Sequence, residues 1–288
     1  MEGHHINNHG LIACCVNSRA GNGKAVKLAG RVSDILKEKA IAHQVLMEPW
    51  PDQLDGFSEA WIFGGDGTVN YFVNQYPEID IPLAVFAGGT GNDFAWKLSG
   101  EVQLTQHVES VLTVQPRRID AIRCNERLAL NGIGLGFDGE VLKFIDSIRF
   151  IGGHLGYQIA VLFKIFTFRE IEFTVYCDGI RTDDKFLLLM ICNSSRMGGG
   201  FMVAPMAEIS DGWLDLIMVK PMGVMQRLFN LPKLEKGLHI NTEYTTTKKI
   251  RGITITPSIR CPIQIDGELF YYDQLDIEIL PKKFRFKY

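Results

Sequence analysis

Two glycine loops constrain this chain most. Gly64-Gly65-Asp66-Gly67-Thr68 and Gly88-Gly89-Thr90-Gly91-Asn92-Asp93 each follow a short apolar run, Ala60–Phe63 and Pro82–Phe86, and each opens a segment with helical spacing. A strand that ends in glycines and turns into a helix belongs to an α/β sheet, where ligands bind beyond the carboxyl ends of the strands. Glycine lets the backbone approach a phosphate, and the first turn of a helix offers N–H groups to it. One such loop reads as a tight turn. Two, each with an Asp and a Thr at a helix start, read as a phosphate cradle.

The surrounding pattern continues the alternation. Leu11–Val16 and Ile41–Glu48 read as strands, with a helix over Lys24–Ala40 that carries Leu28, Val32, Ile35 and Leu36 at helical spacing. Thr68–Tyr76, Asn92–Leu98 and Glu101–Val114 read as further helices. After Arg118 the rhythm changes. Ile171–Cys177, Phe186–Cys192, Trp213–Val219, Tyr244–Thr256, Cys261–Asp266 and Leu275–Leu280 read as successive strands. Helices become rare there, with insertions at Gly139–Ile148 and Tyr157–Phe166. Consecutive strands predict an antiparallel sandwich. The expected fold is therefore an α/β domain with a parallel sheet over residues 1–120 and an all-β sandwich-like domain over 121–288. The last residues are expected to pack back on the first domain.

Composition narrows the function. Thirty Lys plus Arg against 33 Asp plus Glu give a net charge of −3, so the basic excess of a nonspecific nucleic-acid binder is missing. No run approaches 18 uninterrupted apolar residues, so no membrane-spanning helix is expected. The start, MEGHHINNHG, lacks the positive region and apolar core of a signal peptide, and His4, His5 and His9 read as a tail rather than a metal site. Cysteines 14, 15, 124, 177, 192 and 261 form no C-x-x-C pair and read as buried thiols of a reducing compartment. Two tempting motifs fail. Gly21-Asn22-Gly23-Lys24 is no P-loop, because Ser18 and Ala25 stand where it needs Gly and Ser or Thr. Gly134–Gly139 matches G-x-G-x-x-G, but Asp138 inside it would face a pyrophosphate unfavourably.

The ordered series of motifs resembles one family. Asn17, GGDGT at Gly64–Thr68, GGTGNDFA at Gly88–Ala95, Asn131–Asp138, Asn193, Gly198-Gly199-Gly200, Pro205, Asp211–Asp215 and Asp266-Gly267-Glu268 look like the diacylglycerol kinase catalytic domain. That is the lipid kinase superfamily that also holds sphingosine and ceramide kinases. The motifs span about residues 11 to 280, and although GGDGT alone also occurs in NAD kinases, the series is specific. Three positions depart from the family pattern: Ser18, Tyr71 and Gly91. They bear on substrate preference more than on the chemistry.

The resemblance implies an ATP- and Mg²⁺-dependent lipid kinase with its active site between a nucleotide domain and a lipid-substrate domain. Nucleotide contacts then fall to Asn17, Gly64, Gly65, Asp66, Gly67, Thr68, Gly89, Thr90, Asn92 and Asp93, with Lys24 a weaker candidate. Asp66 and Asp93 would anchor the metal–phosphate network, because Mg²⁺ favours carboxylates, phosphates and retained waters. Glu268 would be the general base; spacing alone reads it as an exposed hairpin carboxylate, and Asp266 as a holder of the loop. Asp211 would hold a structural cation with the carbonyls of Glu208 and Trp213, and Asp215 would join that network; the bland reading is a pair of turn residues. Asp138 would face the substrate.

The stretch Tyr157–Phe168 is mostly apolar, with Arg149, His154, Lys164 and Arg169 around it, which suits an interfacial helix and equally suits packing on the sandwich. The expected partners are a lipid alcohol such as diacylglycerol, a membrane surface touched peripherally from the cytoplasmic side, and a second copy in a homodimer. A sphingoid-base or other lipid-alcohol kinase, and a regulator that binds nucleotide or lipid without turnover, are the alternatives. The retained Asp66, Asp93 and Glu268 argue against the regulator.

Overall fold

A computed structural model describes residues 10–147 and 153–288. The side chains at 146 and 153–158 lie outside the description, as do His4, His5, His9 and Arg149. The chain divides into two compact units. One comprises the chain up to Ile119 together with Phe284–Tyr288, and the other runs from Asp120 to Lys283.

In the first unit, β1 (Ile12–Val16), β2 (His43–Met47), β3 (Glu59–Gly64) and β4 (Leu83–Ala87) form a parallel sheet in the order β2-β1-β3-β4. Every residue of β1 and β3 is buried, as expected of central parallel strands, which lack an alternating polar face. Helices α1 (Lys24–Glu38), α2 (Asp66–Gln75), α3 (Asp93–Ser99) and α4 (Leu104–Thr113) connect the strands. Helix α1 buries Ala25, Ala29, Val32 and Leu36, a single stripe at helical spacing. Phe86 stacks on both Trp61 and Phe63, with ring centroids 5.1 and 4.7 Å apart, and fixes β3 against β4.

The second unit takes up the chain within β5 (Arg117–Cys124), followed by β6 (Arg127–Ala129) and β7 (Gly132–Gly136). Next come α5 (Phe137–Ser147), α6 (Gly153–Thr167), β8 (Ile171–Cys177), β9 (Ile180–Phe186), β10 (Leu188–Cys192), β11 (Leu214–Val219) and α7 (Val224–Glu235). Strands β12 (Thr245–Ile250), β13 (Gly252–Pro257), β14 (Ile263–Ile265), β15 (Glu268–Phe270) and β16 (Leu275–Phe286) complete the chain. One sheet runs β12-β11-β10-β7-β14-β15; the other contains β16-β13-β8-β9, with β5 and β6 joined through β16. Phe173, Val175, Ile255 and Ile277 of one sheet share a core with Ile133, Leu189, Ile191 and Ile263 of the other, the sandwich that the strand pattern predicts.

Beyond strands β5, β6, β7, β9 and β15, which the sequence reading did not name, three elements differ from it instructively. The single strand expected over Tyr244–Thr256 breaks at Arg251, and its halves enter different sheets: β12 pairs with β11, and β13 pairs with β8 and β16. Helix α7 was hidden by Pro232, which argues against a helix interior. Strand β16 runs six residues beyond Leu280, through Pro281, which has no N–H for the ladder. It passes this point at Lys282, which has φ +55° and donates its N–H to Asp120 Oδ1 at 2.7 Å.

Beyond Lys283 the chain returns to the first unit, where Phe286 pairs with Leu83 of β4. Phe286 meets Phe94 edge-on, and Lys287 Nζ lies 2.7 Å from Glu59 Oε1, both side chains nearly buried. Trp61 Nε1 donates to the other oxygen of Glu59 at 3.0 Å. Removing one partner of a buried pair leaves an uncompensated charge, at a cost of about 3–5 kcal/mol. Lys287→Met should therefore lower unfolding stability in urea by about 3 kcal/mol, whereas a loss within ~0.5 kcal/mol would show that the return of the chain end is incidental.

Candidate active site

The two glycine loops of the first unit touch backbone to backbone. A Cβ on Gly65 would lie 2.9 Å from Cα of Gly89, and one on Gly89 would collide with Gly65. Gly88 is equally confined, 2.8 Å from Cα of Ala25, and its N–H donates to Gly64 O at 2.8 Å. Only residues without side chains fit this contact, which explains both glycine pairs. Asp66 then ties the loops together: Oδ2 accepts the N–H of Asp93 at 3.0 Å and Oδ1 that of Phe94 at 2.8 Å, capping the start of α3. Asn92 closes the second loop on itself, its side chain accepting from Gly89 N at 2.8 Å and donating to Gly89 O at 3.1 Å.

Asn17 and Thr68 serve the same architecture. Asn17 Nδ2 donates to Thr68 Oγ1 at 3.0 Å and Asn17 Oδ1 accepts from Arg19 N at 2.9 Å, so both side chains hold the end of β1 to the first turn of α2. Asp93 is buried, whereas Gly67 and Thr90 are exposed. Lys24 is exposed at the start of α1.

In the second unit Asp266-Gly267 is the two-residue turn of the β14–β15 hairpin, with φ +46° and +88°. The Asp266 carboxylate is buried and accepts three N–H groups, from Leu130 at 2.6 Å, Asn131 at 2.9 Å and Gly132 at 2.9 Å. Asp266 thus holds the loop, and Glu268 beside it is exposed. Asp138 opens α5. Its carboxylate lies on Gly134, where a Cβ would collide with it, and its Oδ2 is buried without a hydrogen-bond partner. Burial pushes its pKa up to about 6. It borders a cavity of about 40 Å³ walled by Phe137, Val161, Met190 and Phe201. Asp138, Asp215 and Asp266 converge: after burial itself, their charges raise the Cys192 thiol pKa. Register accounts for part of this, since Gly132, Cys192 and Asp215 lie side by side on β7, β10 and β11.

Glu208 and Asp211 are exposed on the loop before β11. Asp211 Oδ1 accepts from Trp213 N at 3.0 Å, and its Oδ2 is bonded to Lys249 Nζ, which also lies 3.8 Å from Asp215. Among the described residues, no three His, Cys, Asp or Glu side chains are grouped to hold a metal. Sequence reasoning missed Asp120, which is fully buried and accepts from Gly212 N and Lys282 N at 2.7 Å each, as well as Lys249, and it named Asn193 without a role. Asn193 donates to the carbonyls of Asp120 and Leu130. Only the appearance of Asn193 and Asp211 in the motif series hinted at these.

A parallel α/β unit with two pinned glycine loops, followed by a sandwich whose buried carboxylates hold its turns, is the architecture of a phosphate-handling enzyme of the lipid kinase class. Residues 12–124 match the diacylglycerol kinase catalytic domain, and residues 131–286 match the YegS C-terminal NAD kinase beta sandwich-like domain. The chain belongs to this family and is an ATP-dependent lipid kinase. It is 29% identical over 241 residues to a "Probable lipid kinase YegS-like" of Shewanella frigidimarina, covering 81% of this chain and 77% of that one. It is 26% identical over 278 residues to a protein of Mycobacterium tuberculosis named diacylglycerol kinase, covering 90% and 89%. The crystal structure of a diacylglycerol kinase from Bacillus anthracis superposes with a TM-score of 0.77 at 24% identity over 96% of each chain, a likeness of fold.

Two outcomes follow from this geometry. Gly89→Ala pushes a methyl into Gly65 and should weaken ATP binding by tenfold or more in calorimetry, roughly the effect of 1.4 kcal/mol. Gly30→Ala, whose Cβ meets nothing within 4 Å, should leave ATP affinity unchanged. Equal affinities for both variants would remove the loop contact from the site.

For Asp138 the folded pKa is above the ordinary value, so the folded state binds the proton more tightly and stability falls as pH rises from about 4 to 6. Asp138→Asn should abolish that decline and gain roughly 2 kcal/mol over the wild type at pH 7. Parallel stability–pH curves for the two proteins would show that Asp138 is solvated.

Proposed function

We propose that this kinase transfers the γ-phosphoryl group of ATP to the hydroxyl of a membrane lipid alcohol, with diacylglycerol as the leading acceptor. The observation that carries the reading is the backbone contact between the two glycine loops, pinned by Asp66. Exposed Gly67 and Thr90 leave N–H groups and a hydroxyl for the nucleotide phosphates. Asp66 accepts N–H bonds at both carboxylate oxygens, and a carboxylate offers about four acceptor sites, so Asp66 and Asp93 fit a Mg²⁺ delivered with the phosphates rather than caged by protein. Bound there, Mg²⁺ supplies charge neutralisation to the phosphates. Glu268 accepts the proton of the lipid hydroxyl as its oxygen bonds to phosphorus and the bond to the leaving ADP oxygen breaks.

Helix α6 supports a lipid acceptor. Its inner face buries Ala160, Val161 and Ile165, while Leu162, Phe163 and Phe166 are exposed, Phe166 at 62%. A helix apolar all round is covered by protein or by lipid. Fifteen residues are too few to span a bilayer, and none of the helices among the described residues is long and apolar enough to do so, which favours lying on its surface. Lys164 is not part of a cationic rim, because it is bonded to Glu140 at 2.6 Å; Arg169 is exposed and can be.

The test uses purified protein with Mg-ATP and vesicles carrying diacylglycerol, a sphingoid base or neither. Phosphorylated diacylglycerol is the expected product. Glu268→Gln should keep ATP affinity and lose roughly 10²-fold in turnover. Turnover of the sphingoid base alone would move the acceptor to the alternative class. Full activity of Glu268→Gln would transfer the base role to another carboxylate, with Asp138 first.

A further inference from the structure

The loop before β11 is crowded with negative charge. Glu208, Asp211 and Asp215 fall within eight residues, and their surroundings decide what balances them. Asp120 fixes the loop from below through Gly212 N, and Asp211 fixes its own turn through Trp213 N. Lys249 of β12 stands directly opposite Asp215 of β11 in the antiparallel register. Its ammonium is bonded to Asp211 Oδ2 and lies 3.8 Å from Asp215 Oδ2. The loop also receives a cation over its aromatic residue, since the Arg251 guanidinium lies 4.5 Å from the centre of the Trp213 ring.

We infer that Lys249 is the built-in cation of this loop and takes the place of the metal ion that the family resemblance implies there. Mg²⁺ requires near-octahedral oxygen ligands at about 2.0–2.1 Å. An ammonium already bonded to the Asp211 carboxylate occupies that space and repels a divalent ion. A tethered cation does the same neutralising work without depending on free metal. The competing explanation is an ordinary surface ion pair, which contributes little. Lys249 is 42% exposed, in keeping with such a pair, but it reaches two carboxylates at once, and one of them, Asp215, is only 14% exposed, so its charge is poorly screened by solvent.

The experiment is thermal unfolding of the nucleotide-free protein, which reads the loop independently of any kinase activity. The wild-type Tm should be the same in EDTA and in millimolar Mg²⁺ or Ca²⁺. Lys249→Met leaves the carboxylates facing one another and should lower Tm by roughly 3 °C or more in EDTA. Divalent cation should then restore much of that loss, by binding where the ammonium stood. Lys249→Gln, which keeps a polar end, serves if the Met variant does not fold. A wild-type Tm that falls in EDTA and recovers with Mg²⁺ would overturn the inference, as would a Lys249→Met Tm equal to that of the wild type.

Discussion

The acceptance of backbone N–H groups by aspartate carboxylates underlies both units. Where a loop leaves helix and sheet, its N–H groups have no ladder partner, and burying them unpaired costs free energy. Asp66 supplies the acceptors for Asp93 and Phe94, Asp266 for three consecutive residues at 130–132, and Asp120 for Gly212 and Lys282. Each bond is charge-assisted and joins residues far apart in the chain, so each carboxylate sets a loop position that local propensity leaves open. The glycine loops, the Glu268 hairpin and the Asp-Gly loop before β11 are all placed in this way.

A consequence is that acidic residues in this chain divide into two roles by environment. Asp120 and Asp266 hold backbone N–H groups inside the second unit, and Asp66 holds those of Asp93 and Phe94 while still facing the loop surface. Asp138 does not: its Oδ2 is buried without a partner, and its raised pKa reflects the apolar wall beside it. Glu268 is exposed and sits one residue beyond a turn fixed by Asp266. A carboxylate held by the backbone gives shape. Asp266 does so for the turn that precedes Glu268, whose own carboxylate is exposed.

Much of this was legible beforehand because it is local. The glycine loops, the alternation up to Val114 and the strands at Ile171–Cys177 and Leu214–Val219 follow from short-range pattern and turn chemistry. Asp266-Gly267 is a hairpin signal in any context. What escaped was decided by distant partners. Pro281 reads as a strand end, yet β16 continues because Asp120, 162 residues earlier, accepts the N–H of Lys282. The break at Arg251 is invisible in an apolar, β-branched run, since both halves are good strands and only the sheets they join differ.

By itself the sequence determined the class: parallel α/β followed by sandwich, with glycine loops at 64–68 and 88–93, because periodicity and glycine placement are properties of neighbouring residues. Tertiary structure alone decided which polar groups are spent on the fold. Asn17 and Thr68 are bonded to each other, Lys164 turns in to Glu140, and Lys249 sits on Asp211. The physical reason is that a hydrogen bond or ion pair between residues tens of positions apart leaves no periodic trace. Its formation depends on which strands become neighbours, and spacing along the chain does not carry that information.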